Sequence, residues 1–196
     1  MKKKTLIIGA NSTLAKRLIK LIENENVVYK SFSNKKKLEK KDYNLNLNDE
    51  KSILNFSESI KKTKFKYIIL CPGIIFGKSI DKYNYKEIDQ VNNINYVGIT
   101  KLFNKIIRKN LDKKCIMIFI SSISGRRGSY DHYYAGAKAG LISFAKSLSK
   151  YHGDKMRINI IAPSLINKTK MYYQNSKKNI GKIKKESPNK HILSSD

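Results

Sequence analysis

The chain has 196 residues, 40% of them hydrophobic, with 41 Lys and Arg against 15 Asp and Glu and a formal charge of +26. That length suits one domain with a real core. Its two cysteines, Cys71 and Cys115, offer neither a disulfide framework nor a metal spacing, so a reducing, cytoplasmic setting and no bound metal are expected. The charge does not make this a nucleic-acid binder. Only Arg17, Arg108, Arg126, Arg127 and Arg157 carry the guanidinium suited to bidentate base and phosphate contacts. The Lys runs are scattered, and the joint abundance of Lys, Asn, Ile and Tyr reflects A/T-rich codons, so base composition accounts for the charge without a ligand.

The apolar stretch after Lys2, Lys3 and Lys4 is too short for a signal sequence and is interrupted by Asn11 and Ser12. No segment reaches the ~20 apolar residues that span a bilayer, so no membrane partner is expected. Residues 5–9 are predicted as a short apolar strand. Leu14, Leu18, Leu21 and Ile22 then recur at helical spacing over 12–22, with Ser12 placed to cap. Strands follow at 27–32 and 43–47, a helix at about 49–62, and a fourth strand at 66–71 stopped by Pro72-Gly73. A long helix is expected over about 85–109. The wholly apolar run 115–120 reads as a strand buried on both faces. A helix over 133–151 and a sixth strand over 156–162, ending at Pro163, complete the alternation. Beyond it the chain is polar and Lys-rich, with no clear strand. Strands joined by helical crossovers predict an α/β fold, a doubly wound parallel sheet with helices on both faces.

Gly9-Ala10-Asn11-Ser12-Thr13-Leu14-Ala15 joins the first strand to its helix, where an open α/β sheet receives a pyrophosphate on free backbone N–H groups. Thr13 replaces the middle glycine of the usual fingerprint. Further on, Tyr134 and Lys138 stand four residues apart and share a helix face. An ammonium beside a phenol favours the phenolate, so a lowered Tyr134 pKa is expected.

The order of motifs resembles the short-chain dehydrogenase/reductase family from Thr5 to about Met171. The Gly9–Ala15 turn matches the family's glycine-rich loop with two substitutions. Leu70-Cys71-Pro72-Gly73 stands where the family has Asn-Asn-Ala-Gly. Asn95-Tyr96-Val97-Gly98, Ile120-Ser121-Ser122-Ile123-Ser124-Gly125, Tyr134 to Lys138 followed by Ala139-Gly140-Leu141, and Arg157 to Ser164 match the remaining motifs in order. The resemblance implies a Rossmann-like single NAD(P)-binding domain over 1–196 that transfers a hydride between a nicotinamide cofactor and a carbonyl or alcohol. It implies that Tyr134 is the acid/base, that Lys138 tunes it and holds the nicotinamide ribose, that Ser122 polarises the substrate oxygen, and that Asn95 positions a relay water. Ser121 is the alternative to Ser122.

The resemblance further implies cofactor contacts from Gly9, Asn11, Ser12, Thr13 and Leu14 in the first turn, and from Ser33 and Asn34 after the second strand. Asn46 and Leu47 follow the third strand and Cys71 and Gly73 the fourth. Tyr134, Lys138, Pro163, Ile166 and Thr169 complete the set. Cofactor preference is argued from charge: Phe32-Ser33-Asn34-Lys35-Lys36 contains no acid to bind a ribose 2′-OH, and Lys35 could pair with a 2′-phosphate, so NADP is preferred over NAD. Asn46 replaces the usual acid at the adenine, with its amide oxygen offered as acceptor. Cys71 is read as a small buried residue, and Tyr130, His132, Arg126 and Arg127 as a solvated loop. Ser164 and Thr169 depart from the family pattern, by residue type and by about one position. Family members run tens of residues longer, so the last strand and helix are expected to be missing, leaving a sheet edge unpaired. The resemblance is strongest to the 3-oxoacyl-thioester reductase branch, with sugar-derivative reductases as competitors. It implies a thioester- or carrier-linked substrate and a homodimer or homotetramer. The alternative is a non-catalytic nucleotide-binding remnant.

Overall fold

The computed structural model describes residues 2–106 and 110–194. Among them, β1 (Lys3–Ile8), β2 (Asn26–Phe32), β3 (Asp42–Asn44), β4 (Phe65–Leu70), β5 (Leu111–Ile120) and β6 (Met156–Ile161) form one sheet in the order β3-β2-β1-β4-β5-β6. Every pairing is parallel. The chain steps outward from β1 through β2 to β3, then returns to lay β4 on the other side of β1. That reversal opens a crevice at the carboxyl ends of β1 and β4, where Gly9 and Cys71 lie, and such a switch point is where these sheets bind ligands.

Sequence period decides which face each strand buries. Cys115, Met117 and Phe119 of β5 are fully buried in one cluster with residues of α2 (Glu50–Ser59), α4 (Gly98–Ile106) and α6 (His132–His152). There the rings of Phe103, Phe119 and Phe144 pack at centroid distances of 5.6–6.4 Å. Burying each such ring stabilises by about 2 kcal/mol. The alternate residues Ile116, Ile118 and Ile120 are half-buried, not enclosed on both faces as their apolarity suggests. Their side of the sheet packs on the smaller cluster around α1 (Thr13–Ile22), which supplies Ala15, Leu18, Ile19 and Ile22. β6 is the outer strand among the described residues, and its Ile161 is 49% exposed.

The long helix expected over 85–109 is interrupted. α3 (Tyr85–Asn92) runs into a π-helical turn, Asn93–Val97, before α4, and 107–109 lie outside the described residues. Asn84 caps α3 in a capping box with Glu87. At Gly98 a Cβ would sit 2.2 Å from the Leu47 carbonyl oxygen, so only glycine lets the helix approach the loop after β3. The third strand is shorter and earlier than expected, because Leu45 already faces the core as its N–H bonds Phe32 O. The short α5 (Ser124–Arg127) follows β5, and after β6 come α7 (Lys170–Tyr173), α8 (Lys177–Glu186) and an isolated parallel bridge, Ile166 to Leu193. Among the described residues no helix is long and apolar enough to cross a membrane.

Candidate active site

The crevice is walled first by the turn after β1. Gly9 has φ +81°, and a Cβ there would lie 2.9 Å from Pro72 N and 3.0 Å from its Cα. The backbones of the two turns therefore touch, and the position takes glycine for both reasons. Ser12 caps α1 by accepting from Ala15 N at 3.1 Å, as its sequence position predicted. Thr13 and Leu14 open the helix, so their N–H groups have no intrahelical acceptor. Asn11 Nδ2 donates to Ser33 Oγ at 3.4 Å, which joins this turn to the end of β2.

Gly73 marks the point where the catalytic candidates converge. A Cβ on it would lie 3.3 Å from Asn95 Oδ1, 3.3 Å from Lys138 Nζ and 3.6 Å from Met171 Cε. Asn95 is fully buried: its Nδ2 donates to Val91 O at 2.8 Å and Ile74 O at 2.9 Å, and its Oδ1 accepts from Ile74 N at 3.3 Å. Its place in the π-helical turn explains why it reaches the strand-end loop, since a π turn rotates side chains off the regular helix face. Lys138 Nζ donates to Pro72 O and Ile120 O, both at 3.2 Å, from the ends of β4 and β5. Burial pushes this ammonium down to about 8, with the Cys71 thiol nearby opposing the fall. Cys71 is buried as expected, and burial pushes its thiol up to about 12.

Tyr134 is 5% exposed, and its ring centroid is 5.8 Å from Lys138 Nζ. The expected lowering of its pKa is not what the structure shows. Burial raises it, a hydrogen bond from Ser122 pulls it back in part, and the Asp131 charge raises it further. Desolvation of the phenolate is the largest influence on it. The two serines divide cleanly. Ser121 Oγ donates to Lys138 O at 3.0 Å and holds the helix backbone, whereas Ser122 faces the phenol. Ser122 Oγ also accepts from Ser124 N at 3.2 Å.

The residue missing from the sequence reading is Asp131. Its carboxylate is fully buried and caps α6 by accepting from Tyr134 N at 3.1 Å. It also accepts from Gly77 N at 3.0 Å and from Tyr83 Oη at 2.6 Å, so one carboxylate ties the tyrosine's backbone to the loop after β4. An aspartate three residues before Tyr134 is a readable N-cap signal. Its long-range partners are not. His132 and Tyr130 lie at the surface beside it, and Arg126 and Arg127 are exposed, with Arg127 3.5 Å from Glu186.

The remaining candidates are spread along the crevice. Leu47 is buried, with its side chain packed in the main core. Asn46 Oδ1, offered as an adenine acceptor, already accepts from Asn48 N at 3.0 Å. Asn34 and Ser33 are exposed at the end of β2. Lys35, offered to a phosphate, is instead paired with Asp42 at 2.5 Å. Beyond β6, Pro163 O accepts from Ile123 N at 3.0 Å, and Thr169 caps α7 while its hydroxyl donates to Ile166 O at 2.8 Å. These two contacts seat the segment above Gly73 that carries Met171.

A glycine turn at the first strand, a second glycine against a buried ammonium, and a tyrosine beside a serine form a site on a parallel α/β sheet that fits a dinucleotide. Residues 3–180 match the family described as short chain dehydrogenase, and the chain belongs to the short-chain dehydrogenase/reductase family. It is 30% identical to the 3-oxoacyl-acyl-carrier-protein reductase FabG of Buchnera aphidicola over 97% of this chain and 84% of that protein. The FabG of Chlamydia trachomatis is 39% identical over 48% of this chain, and the match spans only 39% of that relative's length. Among solved structures, a short chain dehydrogenase family protein from Francisella tularensis superposes with a TM-score of 0.86 at 18% identity, over 100% of this chain and 87% of that one. Thermoplasma acidophilum aldohexose dehydrogenase gives 0.85 at 15% identity, over 99% and 82%. At these identities the structures establish the fold.

Proposed function

We propose that this chain is an NADP-dependent oxidoreductase acting on a carbonyl or hydroxyl substrate, with Tyr134 as acid/base. The observation that carries this reading is the convergence at Gly73 of the Lys138 ammonium and the Asn95 amide, with Tyr134 and Ser122 beside them. A buried ammonium held by two carbonyl oxygens is costly to a fold, and such groups gather at functional sites. The nicotinamide, when bound, supplies or accepts the hydride.

In the reductive direction Tyr134 donates its phenolic proton to the developing alkoxide, and its raised pKa keeps that proton in place at neutral pH. Ser122 shares a hydrogen bond with the phenol and orients the substrate oxygen. Lys138 offsets the phenolate charge left behind and holds the ribose, and Asn95 fixes the backbone beneath them. Gly9, Asn11, Ser12, Thr13 and Leu14 receive the pyrophosphate, and Ser33 and Asn34 the adenosine ribose. Cys71, Pro163, Ile166 and Thr169 frame the nicotinamide. NADP is favoured because Ser33-Asn34-Lys35-Lys36, directly after β2, contains no carboxylate to bind a ribose 2′-OH.

The named activity of the FabG relatives supports a thioester carried on an acidic protein, which the exposed Arg126 and Arg127 suit by charge. The reading includes one cytoplasmic dinucleotide-binding domain that assembles as a dimer or tetramer through the helices at 85–106 and 132–152. A non-catalytic nucleotide binder is the second reading, favoured by the burial of Tyr134. Titration with NADPH and NADH, followed through cofactor fluorescence, tests the first step; binding of neither dinucleotide overturns the proposal. Turnover of a carbonyl panel, including a 3-oxoacyl thioester, then separates enzyme from binder.

A further inference from the structure

The loop after β2 is held by charges that a dinucleotide site does not need. Lys35 N donates to Asn44 Oδ1 at 3.1 Å, and Asn44 Nδ2 donates back to Lys35 O at 3.4 Å, so β3 fixes the Lys35 backbone. The Lys35 ammonium crosses the Phe32 ring at 4.5 Å and ends on Asp42, whose side chain is 0% exposed. Asp42 also takes Lys30 Nζ at 3.1 Å and Glu39 N at 3.2 Å. Glu39 is 68% exposed and lies 3.6 Å and 3.7 Å from the two ammonium groups. Burial works to raise the Asp42 carboxyl, but the hydrogen bonds from Lys35 and Lys30 overcome it and hold it below the ordinary carboxylate range.

Two features make this cluster more than a loop staple. First, Lys35 belongs to the loop beyond the end of β2, where the adenosine ribose of a dinucleotide lies in such sheets, while Lys30 and Asp42 are register partners within the sheet. Ser33, two residues before Lys35, is bonded to Asn11 of the pyrophosphate turn. Second, the carboxylate has two ammonium partners. Lys35 can leave without stranding a buried, unpaired anion, because Lys30 stays on β2. We infer that Asp42 sets the cofactor preference by competing with the ribose 2′-phosphate of NADPH for the Lys35 ammonium. Asp42 is thus an internal stand-in for that phosphate, and it weakens a discrimination that Lys35 alone would make stronger. The inference rests on the dinucleotide-binding reading above.

The test is the ratio of NADPH to NADH affinity, measured by fluorescence titration on the full chain. Asp42→Asn keeps size and hydrogen-bonding capacity while removing the competing charge. The ratio is expected to rise about tenfold, the scale of one charge-assisted hydrogen bond. Lys35→Gln should lower the wild-type ratio, and the double variant should lose the gain made by Asp42→Asn. An unchanged ratio in a folded Asp42→Asn protein, or a gain that persists without Lys35, overturns the inference. If Asp42→Asn does not fold, Asp42→Ser, which also removes the charge, takes its place: a rise in the ratio supports the exchange and no change overturns it. Both dinucleotides binding with unaltered ratios defeats this inference alone. Neither binding defeats the dinucleotide reading with it.

Discussion

At the ends of β4 and β5, Asn95, Lys138 and Ser122 are each no more than 8% exposed, and neutral carbonyl oxygens take the Asn95 and Lys138 donors. At the end of β2, Ser33 and Asn34 are exposed and a cluster of four charges holds the loop. In the first region geometry is set by hydrogen bonds to backbone carbonyls and by close approach, with Gly9 against the Pro72 backbone and Gly73 against the Asn95 and Lys138 side chains. In the second it is set by ion pairs, and those can exchange partners. A proton-transfer site needs fixed distances, whereas a cofactor's outer ribose needs only a complementary field. Substitutions near Tyr134 should therefore act steeply, and those around Lys35 should shift preference while leaving the site assembled.

The steepest break is Tyr134→Phe. It removes the phenol proposed as proton donor and should lower carbonyl turnover by about 10²–10⁴-fold with cofactor binding retained; equal rates would remove Tyr134 from its proposed role. Next comes Lys138, whose folded pKa is about 8 against the ordinary 10.5. Between those values the unfolded chain binds a proton that the folded chain does not. Stability therefore rises with pH across that window, and the penalty is present in full below it. Urea melts of wild type and Lys138→Met should show the difference moving toward wild type by about 3 kcal/mol from pH 8 to 10.5. A flat difference would mean the ammonium is not desolvated.

Gly9→Val forces a side chain into Pro72 at φ +81° and should destabilise by about 2 kcal/mol, read as a lower urea midpoint. The smallest effect belongs to the β2 loop. Glu39→Gln, at a 68% exposed carboxylate, should change stability by less than about 0.5 kcal/mol. A larger loss would show that this loop is as rigidly built as the turns around Gly73.

Local chemistry was legible where one residue's partners lie nearby in the chain. Ser12, placed by the sequence to cap the first helix, does cap it. The spacing of Tyr134 and Lys138 places them on one helix, as observed. The sign of the Tyr134 shift was not legible, because it depends on how much protein surrounds the phenol, and spacing carries no information on burial. Asp131 escaped notice for a related reason. Its cap is local, but Gly77 and Tyr83 lie 54 and 48 residues away. Lys35 read as a free cation until the fold brought Asp42 to it from the next strand.

The sequence by itself determined the alternation of strands and helices, the two glycine turns and the family motifs in order, since these depend on periodicity, capping and residue type along a continuous stretch. Tertiary structure alone decided the order in which the strands pair, the π-helical turn that turns Asn95 toward Gly73, the separate hydrogen-bond partners of Ser121 and Ser122, and the partner each charge takes. The physical reason is the same in each case: desolvation and charge pairing depend on neighbours in space, and those neighbours are set only when the sheet closes its crossovers.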